Sequence, residues 1–237
     1  MTCTNCSTEL NTKFCPNCGQ PAQLKRIDGH YIMHEIEHVL HFERGILYTI
    51  RELLTRPGQN IRNYLSENRS RLIKPIIFII LTSLIYTLIS HFFHIEEELI
   101  TVHDIGASYV GKMIAWMQNN YGYTSILTAA FIAPWLKLFF KKYGYNFYEL
   151  IIMLCFVQGI SMLIFALFAL LEGLFHIKLL SAAGILGFIY MTWATGNFFE
   201  KRKIANYAKA ILAILLGTIT FYVVIIALGL SIDVLTQ

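Results

Sequence analysis

Four of the five cysteines fall within the first 18 residues, as Cys3-x2-Cys6-x8-Cys15-x2-Cys18. Two thiolate pairs, each on a tight turn, can close a tetrahedral site of four soft donors, the arrangement that structural Zn²⁺ prefers. Pro16 and Gly19 suit such turns. With sulfur in every position, no coordination site is left open for a reacting water, so the expected role of this zinc is structural. The short linker calls for a very small zinc ribbon over residues 1–22. The same residues could instead form two disulfides, but a reducing cytoplasm, where the charge pattern below puts this end of the chain, favours the metal. Cys155 stands in an apolar block and reads as an inert small apolar residue.

A second set of potential ligands follows. His30, His34, His38 and His41 recur at steps of four, four and three, which puts them on one face of a helix. Within it, His34-Glu35-Ile36-Glu37-His38 matches H-E-x-x-H, where two imidazoles a turn apart can hold Zn²⁺ and the Glu can act as general base. Three readings stand side by side. The ridge can be a docking face for a partner, a second metal site built on His30, His34 and His38, or a hydrolytic site with Glu35 as base. No third ligand at a spacing known for such enzymes follows, and the motif lies outside every apolar block, so the docking face is the expectation. His91 and His94 end the first block and His103 lies beyond it, across ~30 Å of hydrocarbon, too far to join the same centre.

The elements that position these groups are drawn by apolarity and charge. Of 237 residues, 56% are hydrophobic and 14% charged, against ~25% charged in soluble domains. From Pro75 onward the chain reads as five apolar blocks, at roughly 75–94, 123–140, 147–171, 177–198 and 205–230. Lys and Arg gather in alternate gaps. Ten precede the first block; Lys112 follows it. Lys137, Lys141 and Lys142 gather around the end of the second, Lys178 lies at the junction of the third and fourth, and Lys201, Arg202, Lys203 and Lys209 gather around the junction of the fourth and fifth. This positive-inside pattern places the N-terminus in the cytoplasm and the C-terminus outside, with 17 of the 19 bases on the inner side. No cleavable signal is expected, since the opening 70 residues are polar, and the first block must itself direct insertion. The second block is short and carries Pro134, which predicts a kink or a break before Trp135.

Between ribbon and bundle, residues 23–74 read as the His-rich helix followed by two amphipathic helices. Ile46, Leu47, Ile50, Leu53 and Leu54 form the apolar face of one; Arg56-Pro57-Gly58 interrupts; Ile61, Tyr64, Leu65, Leu72 and Ile73 form that of the other. Both are expected to lie along the inner leaflet. Arg51, Arg62, Arg69 and Arg71 are expected to contact anionic headgroups there, at roughly 1 kcal/mol per charge. Bases tied to a membrane edge argue against a nucleic-acid partner. Outside, Val110, Met113, Ile114 and Met117 form the stripe of a surface helix. No Asp, Glu, Lys or Arg lies near the middle of any block, which lowers the case for an ion-coupled transporter. Gln158 is the most central polar group and is expected to bond a neighbouring helix; Thr192, Thr195 and Asn197 form a polar stripe in the fourth block. Ala183 with Gly187, and Ala213 with Gly217, allow close helix approach.

The segment from Phe42-Glu43-Arg44-Gly45 through Arg56-Pro57-Gly58, then Ile61-Arg62 and Tyr64-Leu65, with Lys74-Pro75 entering the first block, resembles an uncharacterised bacterial family of zinc-ribbon membrane proteins, domain-of-unknown-function family 3667. The Cys knuckles and His-rich helix are similar to the same family. The resemblance implies a multi-pass protein of the bacterial inner membrane and no known reaction. In topology alone, five spans with a cytoplasmic N-terminus are similar to Yip1-like membrane proteins. The fold class expected is an all-α integral membrane protein, with an N-terminal zinc ribbon, amphipathic interfacial helices and a five-helix transmembrane bundle over 75–237. The function expected is a non-enzymatic anchor that docks a protein partner at its cytoplasmic module. The alternatives are a membrane-associated zinc hydrolase using His34, Glu35 and His38, and a small transporter or lipid-handling protein.

Overall fold

The computed structural model describes residues 2–9, 11–21, 45–95 and 108–236. His30, His34, Glu35, His38 and His41 lie outside the described residues, as does the acidic run Glu96–Glu98. Among the described residues all regular structure is helical, apart from two isolated antiparallel bridges, Thr2 with Glu9 and Phe14 with Pro21. The helices are α1 (Ile46–Thr55), α2 (Pro57–Ser66), α3 (Pro75–Phe92), α4 (Tyr109–Asn119), α5 (Tyr121–Phe139), α6 (Phe147–Phe175), α7 (Leu180–Glu200) and α8 (Ile204–Thr236).

Local chemistry explains the boundaries. Arg56 leaves the helical region at φ −142°, and Pro57 opens α2 at a position where its missing N–H costs nothing. Asn146 and Glu149 cap α6 reciprocally, at 2.8 and 2.7 Å. The Glu172 carboxylate accepts from the amides of Leu179 and Leu180 at 2.6 and 2.9 Å, closing the turn into α7. The break expected at Pro134 does not occur: α5 runs through it to Phe139. Proline removes one backbone bond there, while Ile132, Ala133 and Leu136 are fully buried and hold the helix from both sides.

Among the described residues three helices, α3, α6 and α8, are long and apolar enough to cross a membrane. Helices α5 and α7 occupy the expected second and fourth blocks, but Gly, Ala, Ser, Thr, Tyr and Trp dilute their apolarity. Helix α6 is the central one, with 67% of its apolar window buried against 22% for α8. It packs on α3, α5 and α7, while α8 packs on α5 and α7. Large apolar side chains stay exposed around this core, among them Leu84 and Leu88 on α3, Ile185 and Ile189 on α7, and Leu212, Ile219 and Val223 on α8. An apolar belt of this extent marks a surface meant for a non-aqueous medium.

The two ends of the bundle are sorted. At one end, Phe140 stacks on Phe199 with ring centroids 3.7 Å apart. There the Tyr143 hydroxyl donates to Glu200 at 3.0 Å and accepts from Asn206 at 2.9 Å. At the other, the Phe93 ring covers Gly173, and Ser108 and the Tyr109 amide donate to the Asp233 carboxylate, the latter at 2.9 Å, pinning α4 to the end of α8. The small-residue prediction is realised at Gly217, where a Cβ would meet the Ile132 Cα at 2.5 Å, and Ala213 is fully buried.

The interfacial helices differ from expectation. Ile61, Tyr64 and Leu65 of α2, with Leu72 and Ile73, belong to the core of the bundle. Helix α2 also ends at Ser66, so Leu72 and Ile73 lie in the connection to α3. In α1, Leu53 is fully buried and Ile46 and Ile50 pack on the core, while Leu47 and Leu54 are exposed. At 100° per residue the five positions span about 120°, and the side holding Ile46, Ile50 and Leu53 is covered while Leu47 and Leu54 lie at the other edge.

Candidate metal centre

The ribbon is two copies of one knuckle. In the first, Cys3 N donates to Thr8 O at 2.8 Å and Ser7 N to Cys3 O at 2.9 Å; in the second, Cys15 N donates to Gln20 O at 2.7 Å and Gly19 N to Cys15 O at 2.9 Å. Each turn needs a residue in the left-handed region just after its second cysteine, filled by Ser7 at φ 59° and Gly19 at φ 72°. Glycine takes that geometry without strain; Ser7 holds it at a cost of order 1 kcal/mol.

These turns bring all four sulfurs within 4.8 Å of one another. Sγ···Sγ separations are 3.6 Å for Cys3–Cys18, 3.5 Å for Cys6–Cys15 and 3.6 Å for Cys6–Cys18. Metal–sulfur bonds of ~2.3 Å in a tetrahedron put the sulfurs ~3.8 Å apart, so the cluster fits a metal ion. It does not fit disulfides, whose sulfurs sit at ~2.05 Å, and all five cysteines are free. The Thr8 hydroxyl and then the Thr8 amide, both donating to Cys6, lower its pKa to about 6. The Gln20 amide, followed by the Asn5 side chain, holds Cys18 below the usual thiol range. Donors aimed at sulfur stabilise the thiolates of Cys6 and Cys18 that metal binding requires. At Cys15 the Cys18 amide acts the same way but is outweighed by burial and the neighbouring Cys6 and Cys18 thiols, which push it up to about 11.

The ribbon sits on the α2–α3 connection. Gln20, a largely buried side chain, donates through Nε2 to Glu67 O at 2.5 Å, and Asn68 Nδ2 donates to Asn5 Oδ1 at 2.8 Å. Helix α1 ties this region together, bonded to α7, to the α2–α3 connection and to α2. Tyr190 Oη donates to Leu53 O at 3.1 Å, Ile73 N to Thr49 Oγ1 at 3.1 Å, and Asn60 Nδ2 to Glu52 O at 2.9 Å.

The four arginines have separate placements. Arg62 reaches into the protein, where Nη1 donates to the Asn197 and Phe198 carbonyls at 2.7 and 2.6 Å near the end of α7. These are carbonyls of a helix's final turns, which lack full intrahelical partners. Arg71 Nε donates to the Tyr48 hydroxyl at 2.8 Å and pairs with Glu52 at 3.7 Å. Arg69 is half-buried and Arg51 is exposed on α1 between Leu47 and Leu54. Replacing Arg62 with Met, which keeps the stem and removes the donors, is expected to destabilise the protein by about 1.5–3 kcal/mol. Arg51→Met is expected to change stability by less than ~0.5 kcal/mol, as measured by unfolding in detergent.

Inside the bundle, Ser161 Oγ donates to Gly187 O at 3.3 Å, an interhelical bond between α6 and α7. The bond expected of Gln158 is not formed at its oxygen: Oε1 is buried without a partner, as are Thr192 Oγ1 and Thr195 Oγ1. Cys155 is fully buried, as expected of an apolar residue. Sequence reasoning missed Asn5, Gln20 and Asn68; polar residues in loops carry no periodic signal that would have singled them out.

No curated protein and no solved structure matches the chain. Residues 43–87, covering α1, α2 and most of α3, match the family described as "Protein of unknown function (DUF3667)", so this part of the chain is similar to that uncharacterised family.

Proposed function

We propose that the chain is a non-enzymatic, five-span protein of the bacterial inner membrane that displays a structural zinc ribbon on the cytoplasmic face as a docking module. The observation that carries the reading is the four-cysteine cluster held directly on the α2–α3 connection. A site saturated by sulfur supports structure rather than catalysis. Five spans are supported by the sorting of the bundle's ends. Lys141, Lys142, Lys201, Arg202 and Lys203 belong to the end where α5 and α7 finish and α6 and α8 begin, which is also the end that carries the ribbon. Anionic headgroups would meet Arg51, flanked by the exposed Leu47 and Leu54, more readily than the inward-turned Arg62. Helices α1 and α2 would then serve as a rigid platform between ribbon and leaflet. The His-rich segment would complete the docking face for a protein partner.

Reporter fusions test the arrangement. A reporter active only in the cytoplasm is expected to work after Lys203 and to stay silent after Gln237. Activity of the Gln237 fusion would remove one span from the count and overturn the proposed topology. The lipid-handling alternative draws on the unpartnered oxygens of Gln158, Thr192 and Thr195. The hydrolase alternative rests on the H-E-x-x-H spacing alone.

A further inference from the structure

The contacts of the first knuckle run out of the ribbon. Asn5 stands between Cys3 and Cys6, and its Oδ1 accepts from Asn68 Nδ2 at 2.8 Å. The Asn68 Oδ1 accepts in turn from the backbone N of Ser70 at 2.9 Å and from its hydroxyl at 2.8 Å. A parallel line leaves the second knuckle. Gln20 O accepts from Cys15 N at 2.7 Å, while its side chain donates to Glu67 O at 2.5 Å. Both lines end in the turn over 67–70, between the last residue of α2 and the buried pair Leu72 and Ile73 that leads into α3.

We propose that Asn5, Gln20 and Asn68 latch the metal ribbon to the α2–α3 turn, so that metal occupancy and the order of that turn are one coupled equilibrium. The proposal rests on the reading of the cysteine cluster as a zinc site and adds a consequence to it. Ribbons of this size fold only with their metal, because no preformed site survives in the unfolded chain. Metal loss therefore disperses Asn5 and Gln20, and the turn loses both of its fastenings. Linkage makes the effect reciprocal: the factor by which bound metal strengthens the latch is the factor by which the intact latch strengthens metal binding. An amide that orients a ligand is typically worth ~10–100-fold in metal affinity. The inner platform would in this way report zinc status to whatever docks there.

Asn68→Asp isolates the contact. The aspartate keeps an Oδ acceptor for Ser70 and so preserves the turn, but cannot donate to Asn5. Gln20→Leu removes the second fastening and keeps the backbone bond to Cys15. The full-length protein in detergent is titrated with Zn²⁺ against a chromophoric chelator, and amide exchange over 67–73 is followed with and without Zn²⁺. Expected are a loss of zinc affinity of about tenfold or more in each variant and faster exchange of the Ser70 amide after zinc removal from the wild type. Affinity equal to wild type in both variants, or exchange over 67–73 indifferent to zinc, overturns the latch. Failure of the wild type itself to bind one zinc per chain would instead overturn the zinc reading on which the latch rests.

Discussion

Replacing Cys15 and Cys18 together by serine is expected to reduce bound zinc from about one ion per chain to almost none, and to unfold the ribbon while leaving the helical bundle intact. The size of the effect follows from what holds the ribbon together. Between residues 2 and 21 the chain has two isolated bridges and a few turn bonds, and of its buried side chains two are the cysteines Cys3 and Cys15 themselves. So small an apolar core cannot offset the conformational entropy of ordering some twenty residues. Metal binding must supply the difference, with apparent values of about 10–16 kcal/mol for structural zinc in comparable peptides. Elemental analysis of purified protein decides the point. Undiminished zinc in the double variant would show that the metal is held elsewhere and would move attention to the histidines.

The second large effect is expected at Gly58. A Cβ there would lie 2.3 Å from the carbonyl carbon and oxygen of Asn197 and 2.6 Å from the backbone N of Phe198. The obstructing atoms belong to backbone, so no side-chain rotation relieves the clash, and helix α2 must move away from α7. That movement would also pull Arg62 from the same two carbonyls. Gly58→Ala is therefore expected to cost at least the ~1–3 kcal/mol of ordinary overpacking. Gly58→Leu is expected to detach α2 altogether. Gly45→Ala serves as the control, since a Cβ at Gly45 meets no atom within 4 Å. Thermal unfolding in detergent, with amide exchange of α2, measures all three. A Gly58→Ala protein as stable as the wild type would mean that α2 does not rest on α7 as described.

Both effects concern features that the sequence announced only in part. The C-x2-C-x8-C-x2-C spacing by itself identified the four sulfurs, because a knuckle is local: two residues between cysteines and a left-handed residue after them dictate the turn. The apolar blocks likewise located α3, α5, α6, α7 and α8, since apolarity at bilayer length is a one-dimensional signal. What the amphipathic stripes faced was not legible in that way. A stripe states that a helix must cover one side and does not name the cover; the outward Leu47 and Leu54 are as apolar as the buried Leu53. Arg62 was read as a lipid contact because it lies among bases just before the first apolar block. Only tertiary structure decided that its donors meet Asn197 and Phe198, 135 and 136 residues away. The same holds for Asn68 and Asn5, joined across 63 positions. Composition and period record which groups need partners, whereas the choice of partner is made by the packing of α2 on α7 and of the ribbon on the α2–α3 turn.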